Sequence, residues 1–173
     1  MLNSKVLTKL AVKITNEVTG EWIIFGGSAL YLLGIDSRST IDVDIASFQT
    51  STNEDSLKLM TIAQDLNLPI ETINQAGAFF LNKIDGWQSR CKLSKKGKLG
   101  RVYIPNVDLY FELKAARMSS TDLADCLAYL AWAKKTKLKF DEQYIIEKLR
   151  AAHLHANQAQ KKRLEQLISA VDV

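Results

Sequence analysis

Trp22-Ile23-Ile24-Phe25-Gly26-Gly27-Ser28 and, further on, Arg38-Ser39-Thr40-Ile41-Asp42-Val43-Asp44-Ile45 are the two stretches on which the reading of this chain turns. An apolar run ending in Gly-Gly-Ser reads as a buried strand that enters a tight turn and a short helix, because glycine accepts backbone conformations other residues avoid. In the second stretch, side chains of a strand alternate between faces. Asp42 and Asp44 are therefore expected on one side, with Ile41, Val43 and Ile45 burying the other. Two neighbouring carboxylates repel each other unless a cation sits between them. A hard divalent ion such as Mg2+ takes oxygen ligands, usually one or two carboxylates plus substrate phosphates. The glycine turn supplies the complementary half, since its backbone N–H groups can approach an anion closely and a helix N-terminus favours negative charge. A phosphate cradle facing an acid pair points to a nucleoside triphosphate carried with Mg2+ or Mn2+. The plainer alternatives are an acid pair on a solvated strand face, a Gly-Gly tight turn, and Ser28 as a helix N-cap.

Outward from these stretches, Val6, Leu7, Leu10, Ala11, Ile14 and Val18 recur at helical spacing, and Gly20 stands where that helix would stop. Strands are expected over 22–25 and 41–45, with a short helix over 29–33 closed by Gly34 between them. A polar loop leads to a helix over 54–66, with Leu57, Met60, Ala63 and Leu66 on its buried side. Pro69 opens a strand over 70–73, and Phe79, Phe80 and Leu81 fit a loop or a short helix. The segments 87–93 and 99–104 read as a hairpin around a basic turn over 94–97. Beyond Pro105 the pattern is helical throughout, over 108–118, 121–136, 141–152 and 157–171, with Ser120 and Asp141 as N-caps. Strands mixed with helices first and helices alone afterwards imply an α+β fold. Its mixed sheet, flanked by helices, is expected over 1–106, with a helical C-terminal part over 107–173 packed on it as a single compact unit.

Of the 173 residues, 47% are hydrophobic and 24% charged, which fits an ordered globular chain. A formal net charge of +4 and a pI near 9.0 suit a polyanionic partner without requiring one. Cys91 and Cys126 lack metal-type spacing and are expected to be free thiols in a reducing cytosol. No run approaches the ~20 apolar residues that span a bilayer, and the N-terminal residues lack the apolar core of a leader. A soluble, cytoplasmic protein with no membrane partner is expected. His153 and His155, two apart on a helix, face about 200° apart and do not share a metal. Lysines cluster over 92–98 and 134–139, either as solvated surface or as a track for an RNA backbone.

Gly26-Gly27-Ser28, Gly34 and Arg38-x-Thr40-x-Asp42-x-Asp44 together resemble the signature of the nucleotidyltransferase superfamily, of DNA polymerase β-like fold, in its minimal bacterial branch. Lys114-Ala115-Ala116-Arg117 followed by Asp122 and Asp125 is similar to helical elements of toxin-type nucleotidyltransferases of the AbiEii kind and their uncharacterised relatives. The resemblance runs from about Trp22 to Leu130. It implies transfer of an NMP moiety from an NTP to a hydroxyl acceptor on RNA, tRNA or a protein, with release of pyrophosphate. It also implies the toxin of a toxin–antitoxin pair, with a cognate antitoxin as partner. Asp42 and Asp44 would hold Mg2+ or Mn2+, one ion activating the attacking oxygen and a second stabilising the leaving one. Gly26, Gly27 and Ser28 would seat the β and γ phosphates, Arg38, Lys114 and Arg117 would spread their charge, and Thr40, Asp122 and Asp125 would support the site. Superfamily sites carry a third carboxylate on a neighbouring strand as general base, and Glu71 is the candidate for it here. Two alternatives stay open. Lys114 and Arg117 share one helix face and Asp122 and Asp125 another, so the four could instead be an inter-helix ion cluster. The whole could also be a degenerate module that binds a nucleotide or a protein partner without turnover.

Overall fold

A computed structural model describes residues 2–36 and 40–172. The chain divides into two compact units, Met1–Pro105 and Asn106–Val173. In the first, helix α1 (Ser4–Glu17) begins at Asn3, whose side chain accepts the Val6 N–H, and leads into strand β1 (Gly20–Phe25) and helix α2 (Gly26–Leu32). Strand β2 (Val43–Ser47), helix α3 (Asn53–Asp65), a two-residue strand β3 (Ile73–Asn74) and a one-turn helix α4 (Ala78–Leu81) follow. Strands β4 (Cys91–Lys96) and β5 (Gly100–Pro105) complete a sheet of order β3-β2-β1-β5-β4. It is mixed: β1 pairs antiparallel to β2 and parallel to β5, while β3 is parallel to β2 and β4 antiparallel to β5. With helices on the sheet and helices after it, the α+β class is the one expected.

Strand alternation sorts the sheet into two faces. Trp22, Ile24, Val43, Ile45 and Val102 share one core cluster with Leu7, Leu10, Ala11 and Ile14 of α1 and Leu59 and Ile62 of α3. The opposite face carries Ile23 and Phe25, whose register partners on β2 are Ala46 and Asp44.

Several elements depart from the sequence reading for identifiable reasons. Ladder pairing of β2 starts at Val43, so the alternation expected from Ile41 does not hold there, and Ile41 is 73% exposed. In α3 the buried residues are Leu59, Ile62 and Ala63, with Leu66 partly buried, whereas Leu57 is 64% exposed and Met60 is exposed too. The set 59, 62, 63, 66 holds one face of a helix of 3.6 residues per turn, while a strict three-residue step drifts around it. Pro69 initiates a 3-10 turn, Ile70–Thr72, closed by the Thr72 N–H donating to the Pro69 carbonyl at 3.0 Å, so the expected strand shrinks to Ile73–Asn74. The hairpin turn lies after Lys96, because Leu99 N–H donates to the Thr15 carbonyl (3.0 Å) and Lys98 N–H to the Asn16 side chain (3.1 Å), tying the loop to α1. Trp87–Arg90 is a 3-10 turn, not strand.

The second unit consists of α5 (Val107–Ala115), α6 (Ser120–Lys135), α7 (Glu142–His155) and α8 (Gln158–Val171). Helix α5 packs on α6 and α7, and α8 on the same two. Tyr110 and Tyr129 meet edge to face, ring centroids 5.3 Å apart. Asp141 caps α7 as expected, but α6 is capped by Ser119 and not Ser120. Ser119 accepts the Asp122 N–H while Asp122 reaches back to the Ser119 N–H, a reciprocal box that Ser120 could not form. Among the described residues no helix is long and apolar enough to cross a membrane.

Candidate functional site

The register pair Phe25–Asp44 sets the end of β1 beside the start of β2, and the chain turns at once into α2. Gly26 makes this turn with φ +64°, in the left-handed region that favours glycine. A Cβ there would run into the Asp44 carboxylate, so the acid lies directly against the Gly26 backbone. Helix α2 opens without a side-chain cap hydrogen bond, and the first N–H groups of a helix lack intrahelical acceptors. Ser28 is buried, and its hydroxyl donates to the Phe25 carbonyl at 2.8 Å, which braces the turn from inside. It is thus not the N-cap, a position held by Phe25.

The other oxygen of Asp44, Oδ1, accepts from Asn74 Nδ2 at 2.9 Å. Asn74 is the register partner of Asp44 on β3, and its own Oδ1 accepts the Ala76 N–H at 3.0 Å. With its carbonyl end held by a backbone donor, the amide has only its amino end to turn toward the acid. Gly77 closes the loop: a Cβ there would meet the Phe25 ring at 2.7 Å and stand 3.8 Å from Asp44 Oδ1. Asn74 and Gly77 are the site residues that the sequence did not announce. Glu71 sits exposed on the preceding 3-10 turn, and the residue beside Asp44 on the neighbouring strand is Asn74. Asp42 is exposed on the segment leading into β2, where the Thr40 hydroxyl donates to its carbonyl at 3.2 Å. Arg38 lies outside the described residues.

Among the described residues no group of three or more His, Cys, Asp and Glu side chains is placed to hold a metal.

In the second unit the expected quartet forms one cluster. Lys114 Nζ pairs with Asp122 (2.8 Å) and Asp125 (3.2 Å), all three buried. Arg117, with a 71% exposed side chain, closes a fork on Asp122 with Nε at 2.8 Å and Nη2 at 2.6 Å. Burial opposes charge on Asp122, but hydrogen bonds from Arg117, Lys114 and Ser119 and the Lys114 charge outweigh it, holding the carboxyl well below the usual carboxylate range. Burial pushes the neighbouring Cys126 thiol far up, leaving it inert. His153 pairs with Glu165 across α7 and α8 at 2.9 Å, a surface contact.

The chain belongs to the family described as nucleotidyltransferases of unknown function (DUF6036), whose model it matches over residues 5–167. Neither the comparison with curated proteins nor that with solved structures found a match.

Proposed function

We propose that the protein is a Mg2+- or Mn2+-dependent nucleotidyltransferase that moves an NMP moiety from an NTP to a hydroxyl acceptor. The observation that carries this reading is the seating of the Asp44 carboxylate on Gly26, which sets the acid directly against the glycine turn. Gly26 and Gly27 receive the β and γ phosphates, and Ser28 holds their turn in shape through Phe25. Arg38 keeps the phosphate role that the motif resemblance implies. Asp42 and Asp44 would hold the ion, which when bound neutralises phosphate charge and polarises the α phosphorus. The acceptor oxygen bonds to that phosphorus, the bond to the bridging oxygen breaks, and pyrophosphate leaves. The acceptor proton passes to solvent, since the group beside Asp44 is an amide and Glu71 stands on an exposed turn. Lys114 is given no phosphate here, because its ammonium is held between two buried carboxylates.

Asn74 also favours a second reading, a module that binds Mg-NTP without turnover, because an amide at that place neither ligates as a carboxylate nor takes up a proton. Both readings share one test. Asp44→Asn keeps an oxygen for Asn74 and removes the charge. Its affinity for Mn-NTP, measured by calorimetry, is expected to drop about tenfold or more with no loss of melting temperature. Unchanged affinity would sink both readings.

A further inference from the structure

Helix α4 turns Leu81 fully inward and leaves Phe79 and Phe80 63% and 62% exposed. The two rings meet edge to face with centroids 5.5 Å apart, and Lys83 Nζ stands 4.0 Å from the Phe79 centroid and 5.8 Å from that of Phe80. This aromatic pair begins two residues after Gly77, the residue packed against the Phe25 ring beside Asp44. The N–H of Phe80 donates to the Gly77 carbonyl at 3.0 Å, so the platform is fixed to the wall of the acid site.

We propose that Phe79, Phe80 and Lys83 form the platform on which the acceptor stacks, and that the acceptor is a single-stranded nucleic acid. The inference rests on the reading of Asp44 as the transfer site and adds the acceptor class. Phe25, at the end of β1, and its register partner Asp44 on β2 both lie against Gly77 at the head of α4. In a displacement of this kind the attacking and leaving oxygens stand in line on opposite sides of phosphorus. The acceptor hydroxyl must reach the phosphorus held at Asp44, and α4 starts beside that acid, with Gly77 at its head lying against Phe25 and Asp44. Lys83 covers one face of Phe79, so a base would stack on the ring surface that stays exposed, any nucleobase having a face to offer, and the ammonium beside it suits the phosphate that follows. An apolar protein segment laid on the same rings would have to strip water from the Lys83 ammonium, which disfavours a protein acceptor.

The test compares wild type with Phe79→Ala/Phe80→Ala and Phe79→Leu/Phe80→Leu, reading affinity for an end-labelled, mixed-sequence single-stranded RNA and, separately, for Mn-NTP. Both variants are expected to bind the RNA about tenfold or more weakly and Mn-NTP as wild type does. The leucine pair keeps the apolar surface and loses the ring faces, so RNA binding retained by it alone would overturn stacking. Wild type that does not bind RNA, or that labels protein at a rate unchanged in the alanine variant, would overturn the acceptor class while leaving nucleotide transfer intact. Loss of Mn-NTP binding in wild type itself would remove the underlying reading as well.

Discussion

Lys114→Met is expected to lower the stability of the protein by about 3–5 kcal/mol, the usual cost of removing one partner from a buried ion pair. Methionine fills much of the lysine volume, so the loss is electrostatic. Asp122 and Asp125, both fully buried, would be left facing each other across the place of the missing ammonium, with the Arg117 fork still on Asp122. The effect carries a pH signature. The folded pKa of Asp122 lies below its unfolded value, so its contribution is present in full above the unfolded pKa of about 3.9 and is lost as pH falls from there toward the folded value. Wild type should therefore lose stability on acidification below about pH 4, and Lys114→Met should lose less over the same range because part of the depression is gone. Thermal or denaturant melts at neutral pH and at lower pH check this. A variant that melts like wild type yet no longer binds Mn-NTP would contradict the structural role and return Lys114 to the phosphates.

Gly26→Ala should reduce nucleotide transfer by about a hundredfold, the scale of a misplacement of roughly an ångström at a reacting centre. Two effects add. An L-residue at φ +64° is strained by about 1–2 kcal/mol, and the new methyl group occupies the space of the Asp44 carboxylate. Asp44 must then leave Asn74, or the turn must open and carry the first N–H groups of α2 away. Gly34→Ala separates the two effects. Gly34 also has positive φ, +77°, but a Cβ there would meet nothing within 4 Å. It should lose stability from strain and keep transfer near the wild-type rate. Equal rates in the two variants would mean that the contact between Gly26 and Asp44 has no part in the chemistry.

The centre of the fold was legible because its signals are local and strong. An apolar run ending in Gly-Gly-Ser can hardly be anything but a strand meeting a helix, and β1 ends where that reading puts it, while α2 opens three residues earlier than expected, at Gly26 itself. The ion cluster was legible as one of two alternatives, since Lys114, Arg117, Asp122 and Asp125 carry charge at helical spacing. What the sequence concealed was decided by neighbours. Ile41 looks like a strand residue, but the ladder begins two residues later. Leu57 and Met60 are as apolar as Leu59 and Ile62, and only packing against α1 and the sheet chooses between the stripes. Asn74 left no trace because a two-residue strand has no periodicity and an amide has no charge, whereas Glu71 three positions earlier carries one. Phe79 and Phe80 read as apolar without pattern, and their exposure appears only once Leu81 is seen to take the inward place.

Transfer of label from α-labelled NTPs onto cellular RNA and protein in the presence of Mg2+, compared between wild type and Asp42→Asn/Asp44→Asn, tests the central claim most directly. The account predicts label on RNA with wild type and none with the variant. Wild type that binds Mn-NTP and transfers no label to any acceptor, or a variant that transfers as well as wild type, would contradict it.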